Sequence, residues 1–468
     1  MRLKRLFVAN RGEIAVRILR TARELGLETV LGVSAADTQT LGAEMADRVV
    51  VLGPAPSAKS YLDVRLVVHA AKGTGCDALH PGYGFLSEKP ELSRLCESEG
   101  LAFVGPRAET IEALGDKLSA RTIARETGVR TVPGTGHMAS VDEARTAAAE
   151  LGYPVVMKAS AGGGGRGMFK AAGDRELEAS FDKASREAQS AFGDGRLYLE
   201  RFVERARHVE VQIVGDGAGN VVHFGERDCS VQRRYQKLIE EAPASAVPQS
   251  TRIRLHQAAL QLTAFAKYRN AGTVEFLYDV DRDDFYFIEV NSRIQVEHPV
   301  SEEITGEDLI ALQLRVAAGD GLGLTQPQIK ISGHAIECRI NAEDPRNAFA
   351  PSPGRISRWS VPLGEGIRLD THARQGYLVP PFYDSMIGKL IARGRDRAEA
   401  IARLLTAIEA FTIDGPKTTL PLAGAIVGHP DFRNNHITTQ WLEDVGLPAF
   451  QAGPFIDPYA AARPSECR

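Results

Sequence analysis

The segment 273–293 constrains the fold most strongly, because two apolar runs rich in β-forming residues flank a short polar turn. It reads TVEFLYDVDRDDFYFIEVNSR, and its turn is centred near Arg282. In the simplest antiparallel register, Glu275 and Glu289 are directly opposed on one face, with their β-carbons about 5 Å apart. The apolar residues that alternate onto the opposite face, which we expect to lie in a core, are Val274, Phe276, Ile288 and Val290. The sequence therefore predicts a hairpin with one core face and one acidic face.

The acidic face of this hairpin has the composition of a magnesium site. Two carboxylates this close repel each other unless a cation lies between them, and Asn291 continues the same face. Two carboxylates and an amide offer oxygen ligands, which suit Mg²⁺ held together with substrate phosphates. An exposed acidic face is the alternative, but apolar residues dominate the rest of the hairpin. We therefore expect a magnesium–nucleotide site at Glu275, Glu289 and Asn291.

The residues that follow the hairpin extend its polar face. Arg293, Gln295 and Glu297 alternate onto the side that carries the two glutamates. Arginine can hold a small planar anion through two parallel hydrogen bonds, and Glu297 could remove a proton from such an anion. A purely structural salt-bridge network is the alternative interpretation, and these residues alone leave both open.

A glycine-rich run follows a predicted strand that bears a lysine. Five of the 45 glycines fall within the six positions 162–167, shortly after Lys158. Such a density lets a hairpin lie flat over an anion and present backbone N–H groups to it. The spacing differs from that of a P-loop, because the lysine precedes the glycines. We interpret the run as a loop that covers phosphates, with Lys158 and Lys117 as charge partners; a flexible surface loop is the alternative.

Composition excludes several classes of function. Lys and Arg number 56 against 60 Asp and Glu, a net charge of −4, so no basic excess points to nucleic acid as the main partner. The five cysteines are dispersed without a C-x-x-C pair, which argues for a reducing compartment and against a disulfide framework or a zinc site. No apolar stretch approaches the ~20 residues of a membrane span. The composition therefore predicts a cytoplasmic protein of about three domains.

The pattern of predicted elements divides the chain into three regions. Residues 1–115 alternate strands and helices, which is typical of a parallel sheet covered by helices. The first turn, Asn10-Arg11-Gly12-Glu13, lacks the G-x-G-x-x-G pattern, so nicotinamide or flavin binding is disfavoured. Residues 116–330 carry the glycine run and the hairpin, and residues 331–447 mix strands, turns and a closing helix. The proline-rich segment 448–468 is predicted to be a loosely ordered tail.

A series of motifs occurs in one order along the chain, including VANRGEIAVRIL, HPGYGFLSE, MKASAGGGGRGM, ERDCSVQRR, FIEVNSRIQVEHPV, ECRINAEDP and YDSMIGKL. Taken alone, ERDCSVQRR and ECR would be interpreted as charged surface. Together, the motifs make the chain from residue 1 to about 447 closely resemble biotin carboxylase, a member of the ATP-grasp superfamily. The resemblance implies ATP- and bicarbonate-dependent carboxylation of biotin through a carboxyphosphate intermediate.

The resemblance also implies the architecture, an α/β and α+β chain of three domains and a tail. It implies a pre-ATP-grasp, Rossmann-like N-terminal domain over 1–115, and an ATP-grasp domain over 116–330 whose glycine-rich lid spans about 131–203. A mixed C-terminal domain would follow over 331–447, before the tail at 448–468.

Matching motif positions imply roles for single residues. The implied nucleotide contacts are Lys117, Lys158, Gly164, Gly165, Glu200, Arg201, Val203, His208, Tyr235, Glu275 and Glu289. The implied ligands of Mg²⁺ or Mn²⁺ are Glu275, Glu289 and Asn291, the set that the hairpin spacing also favours. The implied bicarbonate site comprises Lys237, Arg293 and Val296. The implied catalytic residues are Lys237, Arg293, Glu297 as the base, and Arg339, which faces biotin.

Two positions depart from the family pattern. Tyr235 stands where relatives often carry His or Asn beside the nucleotide ribose, and Ala161 replaces a first lid glycine of some relatives. We expect the tyrosine to change nucleotide affinity rather than chemistry, because its hydroxyl can still donate a hydrogen bond. We expect Ala161 to stiffen the lid hinge slightly.

The resemblance implies several partners. No Met-Lys-Met biotin-attachment signature occurs, so the biotin is expected on a separate biotin carboxyl carrier protein, with carboxyltransferase subunits completing the complex. Acetyl-CoA carboxylase, in fatty acid biosynthesis, is the commonest such complex, while propionyl-CoA or another acceptor is not excluded. A homodimer is implied, with Arg17 and Asp384 as candidate interface residues. Another ATP-grasp ligase, such as a carboxylate–amine ligase, and a nucleotide-binding regulatory subunit are the alternatives.

Overall fold

A computed structural model of the chain describes residues 2–160, 168–361 and 364–453, and its first region forms a parallel sheet covered on both faces. The five strands, in the spatial order β3-β2-β1-β4-β5, are β1 (Arg5–Val8), β2 (Glu28–Ser34), β3 (Arg48–Gly53), β4 (Ala78–His80) and β5 (Ala102–Phe103). The helices are α1 (Gly12–Glu24), α2 (Leu41–Met45), α3 (Val64–Gly73), α4 (Pro90–Ser98) and α5 (Ala108–Gly115), with a 3₁₀ turn at Ser57–Lys59. Leu6 and Val8 pack into one core and Phe7 into another. This continuous apolar run is what a parallel sheet covered on both faces requires.

The second region contains a small antiparallel unit that has its own core. It comprises α7 (Val141–Leu151), β6 (Val155–Ala159), β7 (Met168–Ala171), α8 (Asp174–Phe192) and β8 (Leu197–Arg201), with β6 between β7 and β8. Helix α6 (Lys117–Glu126) precedes this unit and packs into a different core. Val155, Met157 and Leu199 pack with buried alanines of α7 and α8. The predicted glycine loop, including Ala161, Gly164 and Gly165, joins β6 to β7 and lies outside the described residues.

An eight-stranded antiparallel sheet forms the centre of the remaining chain. Its spatial order is β13-β12-β9-β10-β11-β14-β21-β19. Its strands are β9 (Ala206–Asp216), β10 (Val221–Arg233), β11 (Gln236–Ala242), β12 (Arg269–Asp279), β13 (Asp284–Asn291), β14 (His334–Asn341), β19 (Ile367–Thr371) and β21 (Met386–Gly394). Strand β11 pairs with β14, so the sheet runs without interruption past the domain boundary that the sequence places at 330/331.

Helices and short strands cover this sheet. The helices are α9 (Gln249–Phe265), α10 (His298–Thr305), α11 (Leu309–Ala318), α12 (Arg397–Ala410), α13 (Leu420–Gly428), α14 (Pro430–Arg433) and α15 (Leu447–Ala452), with a 3₁₀ turn at Gln326–Gln328 and a π-helix at Leu442–Gly446. The short strands are β15 (Glu343–Asp344), β16 (Ala350–Pro351), β17 (Gly354–Arg355), β18 (Arg358–Ser360), β20 (Leu378–Val379) and β22 (Thr412–Asp414). No helix among the described residues has the length and apolar character needed to span a membrane.

The register of the β12–β13 hairpin confirms the predicted opposition of its glutamates. Glu275 pairs with Glu289, but Phe276 pairs with Phe287 rather than with Ile288. The cause is a turn one residue tighter than predicted, which a bulge at Ile288 offsets. Ile288 is therefore half-buried, and the prediction that it packs in the core is wrong; Phe287 packs there instead.

Two further predictions from local pattern are wrong. All but the last two residues of the charge-rich stretch ERDCSVQRR are buried in the second half of β10 rather than on the surface, and Arg227 has no exposed area. The segment predicted as a tail begins with an ordered helix, α15, whose Phe450 packs against the C-terminal core. Residues 454–468 lie outside the described residues.

Arg227 carries a testable prediction about stability. Its guanidinium contacts Glu210 at 2.5 Å and donates to Gln212, Ser301 and Thr273. Removing one partner of a buried ion pair costs about 3–5 kcal/mol, because the other is left uncompensated. We expect Arg227→Met to lower the free energy of unfolding in urea by that amount. The matched exposed variant Arg282→Met should change it little, and equal losses in both variants would contradict this account.

Candidate active site

A largely buried lysine ammonium group, that of Lys237, lies at the centre of the polar face of the large sheet. Lys237 Nζ contacts Glu210 Oε2 at 2.6 Å, Glu275 Oε1 at 2.9 Å and Glu297 Oε1 at 2.7 Å. Strand pairing brings two of these carboxylates together, because Glu289, Glu275, Glu210 and Arg227 form one row across β13, β12, β9 and β10. Side chains in such a row share a face of the sheet.

Opposite charges in this cluster stabilise the ionised form of each group, although burial opposes ionisation. Burial opposes ionisation of Lys237, but its three carboxylates raise the pKa of the ammonium well above the usual value. Burial likewise opposes ionisation of Glu210, yet Arg227 and Lys237 lower its pKa to about 2. Lys237 and His208 similarly outweigh burial and lower the pKa of Glu275. The cluster is therefore a fixed array of opposite charges at neutral pH.

Glu297, the predicted base, bridges two cations. It follows the hairpin directly before α10, and its Oε1 accepts from Lys237 while its Oε2 accepts from Arg339 Nη2 at 2.9 Å. Arg339 lies on β14 and also donates from Nε to Glu240 Oε1 at 2.6 Å. Burial alone would raise the pKa of Glu297, but Lys237 and Arg339 lower it below the usual value. Glu297 is thus an ionised carboxylate, the form that a base requires.

Arg293 is oriented by both neighbouring regions. Its Nε donates to Glu88 Oε2 at 2.9 Å, from the first region of the chain. Its Nη1 donates to Gln295 Oε1 and its Nη2 to Asn291 Oδ1, each at 2.9 Å. Gln295 in turn donates to Glu275 at 3.3 Å. The predicted alternation of these residues onto the acidic face is therefore confirmed, although they lie in a loop beyond β13.

The residues at the hairpin fit a magnesium ion by their chemistry. Glu275 and Glu289 lie side by side, and the Asn291 carbonyl keeps a lone pair beyond the one that Arg293 uses. Lys117 reaches Glu289 at 3.5 Å, and His208 Nε2 lies 3.0 Å from Glu275 Oε2. Two carboxylates and an amide oxygen beside basic side chains form an oxygen-rich site open to a metal–phosphate complex.

Lys158 has an unusual electrostatic environment on β6. Its Nζ contacts Glu200 Oε2 at 2.5 Å, and Arg121 contacts the other oxygen of Glu200. Burial lowers the pKa of Lys158 to about 7, and the cations Lys117 and Arg121 act in the same direction. The Glu289 carboxylate opposes this shift, because it stabilises the ammonium form. Lys158 is therefore only partly charged near pH 7, and an added anion would favour its ammonium form.

Other residues implied by the resemblance lie apart from the carboxylate cluster. Arg201 donates to the Tyr286 hydroxyl at 3.0 Å, and Val203 is buried against the same ring. Tyr235 occupies the two-residue turn between β10 and β11 at a φ of 66°, and its side chain is 48 % exposed. Val296 offers its carbonyl oxygen to Lys389 at 2.6 Å.

Sequence reasoning missed several buried charged residues that hold the site together. They are Glu210, Arg227, Glu240 and Lys389. The exposed Glu88, which orients Arg293, was also missed. One signal could have found some of them: Glu210 stands between Val209 and Val211, and Lys389 precedes Leu390 and Ile391. A charge inside an otherwise apolar strand is costly unless it is paired, so it points to a network.

Arg17, a candidate interface residue, is used within the chain. It pairs with Glu302 and Asp308, each at 2.9 Å. Asp384 is exposed, and its carboxylate accepts from the Met386 amide.

Three known protein families match successive segments of the chain. Residues 2–111 match the biotin carboxylase N-terminal domain, and residues 337–444 match the biotin carboxylase C-terminal domain. Residues 116–325 match the ATP binding domain of the carbamoyl-phosphate synthase L chain.

Similar proteins extend over almost the whole chain. Biotin carboxylase 1 of Bacillus subtilis is 48 % identical over 442 residues, 94 % of this chain and 98 % of that protein. The biotin carboxylase–β,γ-ATP complex of Campylobacter jejuni superposes with a TM-score of 0.92 at 44 % identity, covering 95 % of this chain and 99 % of that one. The biotin carboxylase domain dimer of Hydrogenobacter thermophilus 2-oxoglutarate carboxylase, solved with MgADP and bicarbonate, gives 0.92 at 43 % identity, covering 97 % and 99 %. The chain therefore belongs to the biotin carboxylase family.

Proposed function

We propose that this protein uses ATP and bicarbonate to carboxylate biotin on a carrier protein. The observation that carries the proposal is the Glu297 carboxylate, held between Lys237 and Arg339 beside the arginine of the hairpin loop. This places a base and cations for a small anion directly against the acidic face that suits a metal–nucleotide complex. The bound MgADP and bicarbonate of the Hydrogenobacter domain support the assignment.

The first step activates bicarbonate, which is a poor nucleophile. Glu297 removes its proton, while Arg293 and Lys237 hold its negative charge. The resulting oxygen attacks the γ-phosphorus of ATP, and Lys158 and Lys117 spread the charge of the transferred group. Carboxyphosphate and ADP are the products of this step. Mg²⁺ held by Glu275, Glu289 and Asn291 would supply further charge neutralisation at the phosphates.

The second step transfers the carboxyl group to biotin. Carboxyphosphate releases CO₂ and phosphate, and that phosphate takes the proton of the biotin ureido nitrogen. The nitrogen then attacks the carbon of CO₂, which gives carboxybiotin and leaves protonated phosphate. Arg339 stabilises the enolate-like oxygen that develops on the ureido group. Carboxyphosphate would hydrolyse in water, so we propose that the unit 131–203, with its glycine run, acts as a lid that excludes solvent.

The nucleotide base would lie between the lid unit and the large sheet. We propose Glu200, Arg201, Val203, His208 and Tyr235 as nucleotide contacts, together with Gly164 and Gly165 of the lid. The domains would divide at 1–115, 116–330 and 331–447, the large sheet joining the last two.

We further propose a homodimer that works with a carrier protein and carboxyltransferase subunits in the cytoplasm. The dimer of the Hydrogenobacter domain supports the assembly, and the buried, unpaired thiols of Cys76, Cys96, Cys229 and Cys338 fit a reducing compartment. We propose an acyl-CoA, with acetyl-CoA in fatty acid synthesis first, as the acceptor. The 2-oxoglutarate carboxylase among the similar structures makes 2-oxoacids the competing acceptor class.

Glu297 is the residue whose loss tests the proposal. We expect Glu297→Gln to lower bicarbonate- and biotin-dependent ADP release by at least about 100-fold, because general-base catalysis contributes about 10²–10⁴-fold. Binding of MgATP should stay within about threefold of wild type. Undiminished carboxybiotin formation by this variant would contradict the mechanism.

The matched control is Glu409→Gln, on the exposed side of α12, which should retain full activity. The same assay with an amine in place of biotin separates this proposal from a carboxylate–amine ligase. Turnover that needs the amine but not biotin would overturn the proposed function.

Lys158 generates a prediction about pH. Its pKa is lowered to about 7, so its charge is present below pH 7 and is lost as the pH rises through 7. Phosphate binding favours the charged form, so nucleotide affinity should fall between pH 7 and 9, by up to about tenfold per unit. Lys158→Arg keeps its charge and should show a flatter profile in calorimetric titrations with ADP. Parallel profiles for the two proteins would contradict this assignment.

A further inference from the structure

Lys389 is a charged residue in the middle of β21 whose side chain has no exposed area. Its neighbours along the strand, Ile387, Leu390 and Ile391, are buried apolar residues. Burying an ammonium group is costly unless partners replace its water. The chemistry proposed above does not use this lysine, so its partners are the clue to its role.

The partners of Lys389 come from two other regions of the chain. Its Nζ donates to the carbonyl oxygen of Val296 at 2.6 Å. It also lies 3.2 Å from Oε1 of Glu13, on the first turn of α1. The Tyr83 hydroxyl donates to that same Glu13 oxygen. One ammonium group therefore joins β21, the N-terminal region and the loop that carries the predicted base.

Lys389 works beside Arg339. The two residues are direct cross-strand partners on β21 and β14, so their side chains leave the same face of the sheet. Arg339 holds Oε2 of Glu297, while Lys389 holds the carbonyl of the preceding residue, Val296. Two cations from β14 and β21 thus bind two consecutive residues of the loop.

The hydrogen bond from Lys389 to the Val296 carbonyl fixes the orientation of Glu297. The peptide unit is planar, so the carbonyl of Val296 sets the plane that contains the nitrogen and α-carbon of Glu297. Because the Glu297 carboxylate must meet Lys237 and Arg339 at once, a rotation of this plane would move the base away from both. A charged donor at 2.6 Å makes a strong bond to a carbonyl and resists such rotation.

We propose that Lys389 is a positioning residue of the bicarbonate site, which holds the Val296–Glu297 peptide so that Glu297 faces the bound anion. The inference rests on the proposed function. It assigns Glu13 a separate, structural role, as the counter-charge that keeps Lys389 buried.

Lys389 could position the Val296–Glu297 peptide or only neutralise Glu13, and the carboxylates around it allow these two roles to be tested separately. Asp370 keeps Arg368 as its partner at 2.7 Å when Lys389 is replaced. Burial raises the pKa of Glu337 well above its usual value, so this residue favours the neutral form. Burial also raises the pKa of Glu13, but Glu13 lies within ion-pair distance of Lys389, at 3.2 Å. Glu13 is therefore the carboxylate that loses its cation in Lys389→Met, and Glu13→Gln in the same chain removes that penalty.

The experiment measures ADP release with free biotin at varied bicarbonate and varied ATP, together with thermal midpoints. We expect Lys389→Met to raise the KM for bicarbonate at least about tenfold, while the KM for ATP stays within twofold. The same variant should lower the midpoint of thermal unfolding. Lys389→Met with Glu13→Gln should recover the midpoint but keep the high KM for bicarbonate. Lys389→Arg, which retains a cationic donor, should raise it less than threefold. The exposed control Lys330→Met should match wild type.

Two results would overturn the inference. One is recovery of both the midpoint and the bicarbonate KM in the double variant, which would show that Lys389 only balances Glu13. The other is an equal rise in both KM values. If wild type and Lys330→Met show no bicarbonate-dependent ADP release, the proposed function fails, and the inference fails with it. Active controls beside a Lys389→Met of unchanged KM overturn the inference alone.

Discussion

The ammonium group of Lys237 is the interaction on which the site depends. It contacts Glu210 of β9, Glu275 of β12 and Glu297 of the loop before α10, so one cation joins the acidic hairpin to the predicted base. Without a cation at this point, three buried carboxylates would repel each other, and protonation would relieve the repulsion at the expense of the base. The position of Lys237 on β11 therefore determines the charge state of its surroundings.

The remaining charges extend this arrangement outwards. Arg227 neutralises the charge of Glu210, and Arg339 neutralises the charge of Glu297 while it also pairs with Glu240. Further hydrogen bonds to Gln212, Ser301 and Thr273 hold the Arg227 guanidinium in the sheet, and two carboxylates hold that of Arg339, so both cations stay in place when an anion enters. Fixed dipoles and charges of this kind stabilise a transition state without reorganisation, which is the main electrostatic contribution in enzymes.

Local pattern predicted the parts of this site that lie close together in the sequence. The period of two in a strand correctly opposed Glu275 to Glu289 and carried the polar face on to Glu297, because the bulge at Ile288 offsets the tighter turn. The order of strands in the sheet, in which β9 and β10 lie between β12 and β11, cannot be read from such a pattern. The prediction that Lys237 belongs to the site therefore depended on family resemblance. The same limit explains Arg227: a charged run looks like surface until tertiary pairing shows what compensates it.

The central claim is that bicarbonate oxygen attacks the γ-phosphorus of ATP in this pocket, and oxygen transfer tests it most directly. Bicarbonate labelled with ¹⁸O is supplied with MgATP and free biotin, and the phosphate released is analysed by mass spectrometry in unlabelled water. The account predicts one ¹⁸O atom in each phosphate released, because the attacking oxygen stays on phosphorus when carboxyphosphate breaks down. Phosphate that carries only water oxygen would contradict it.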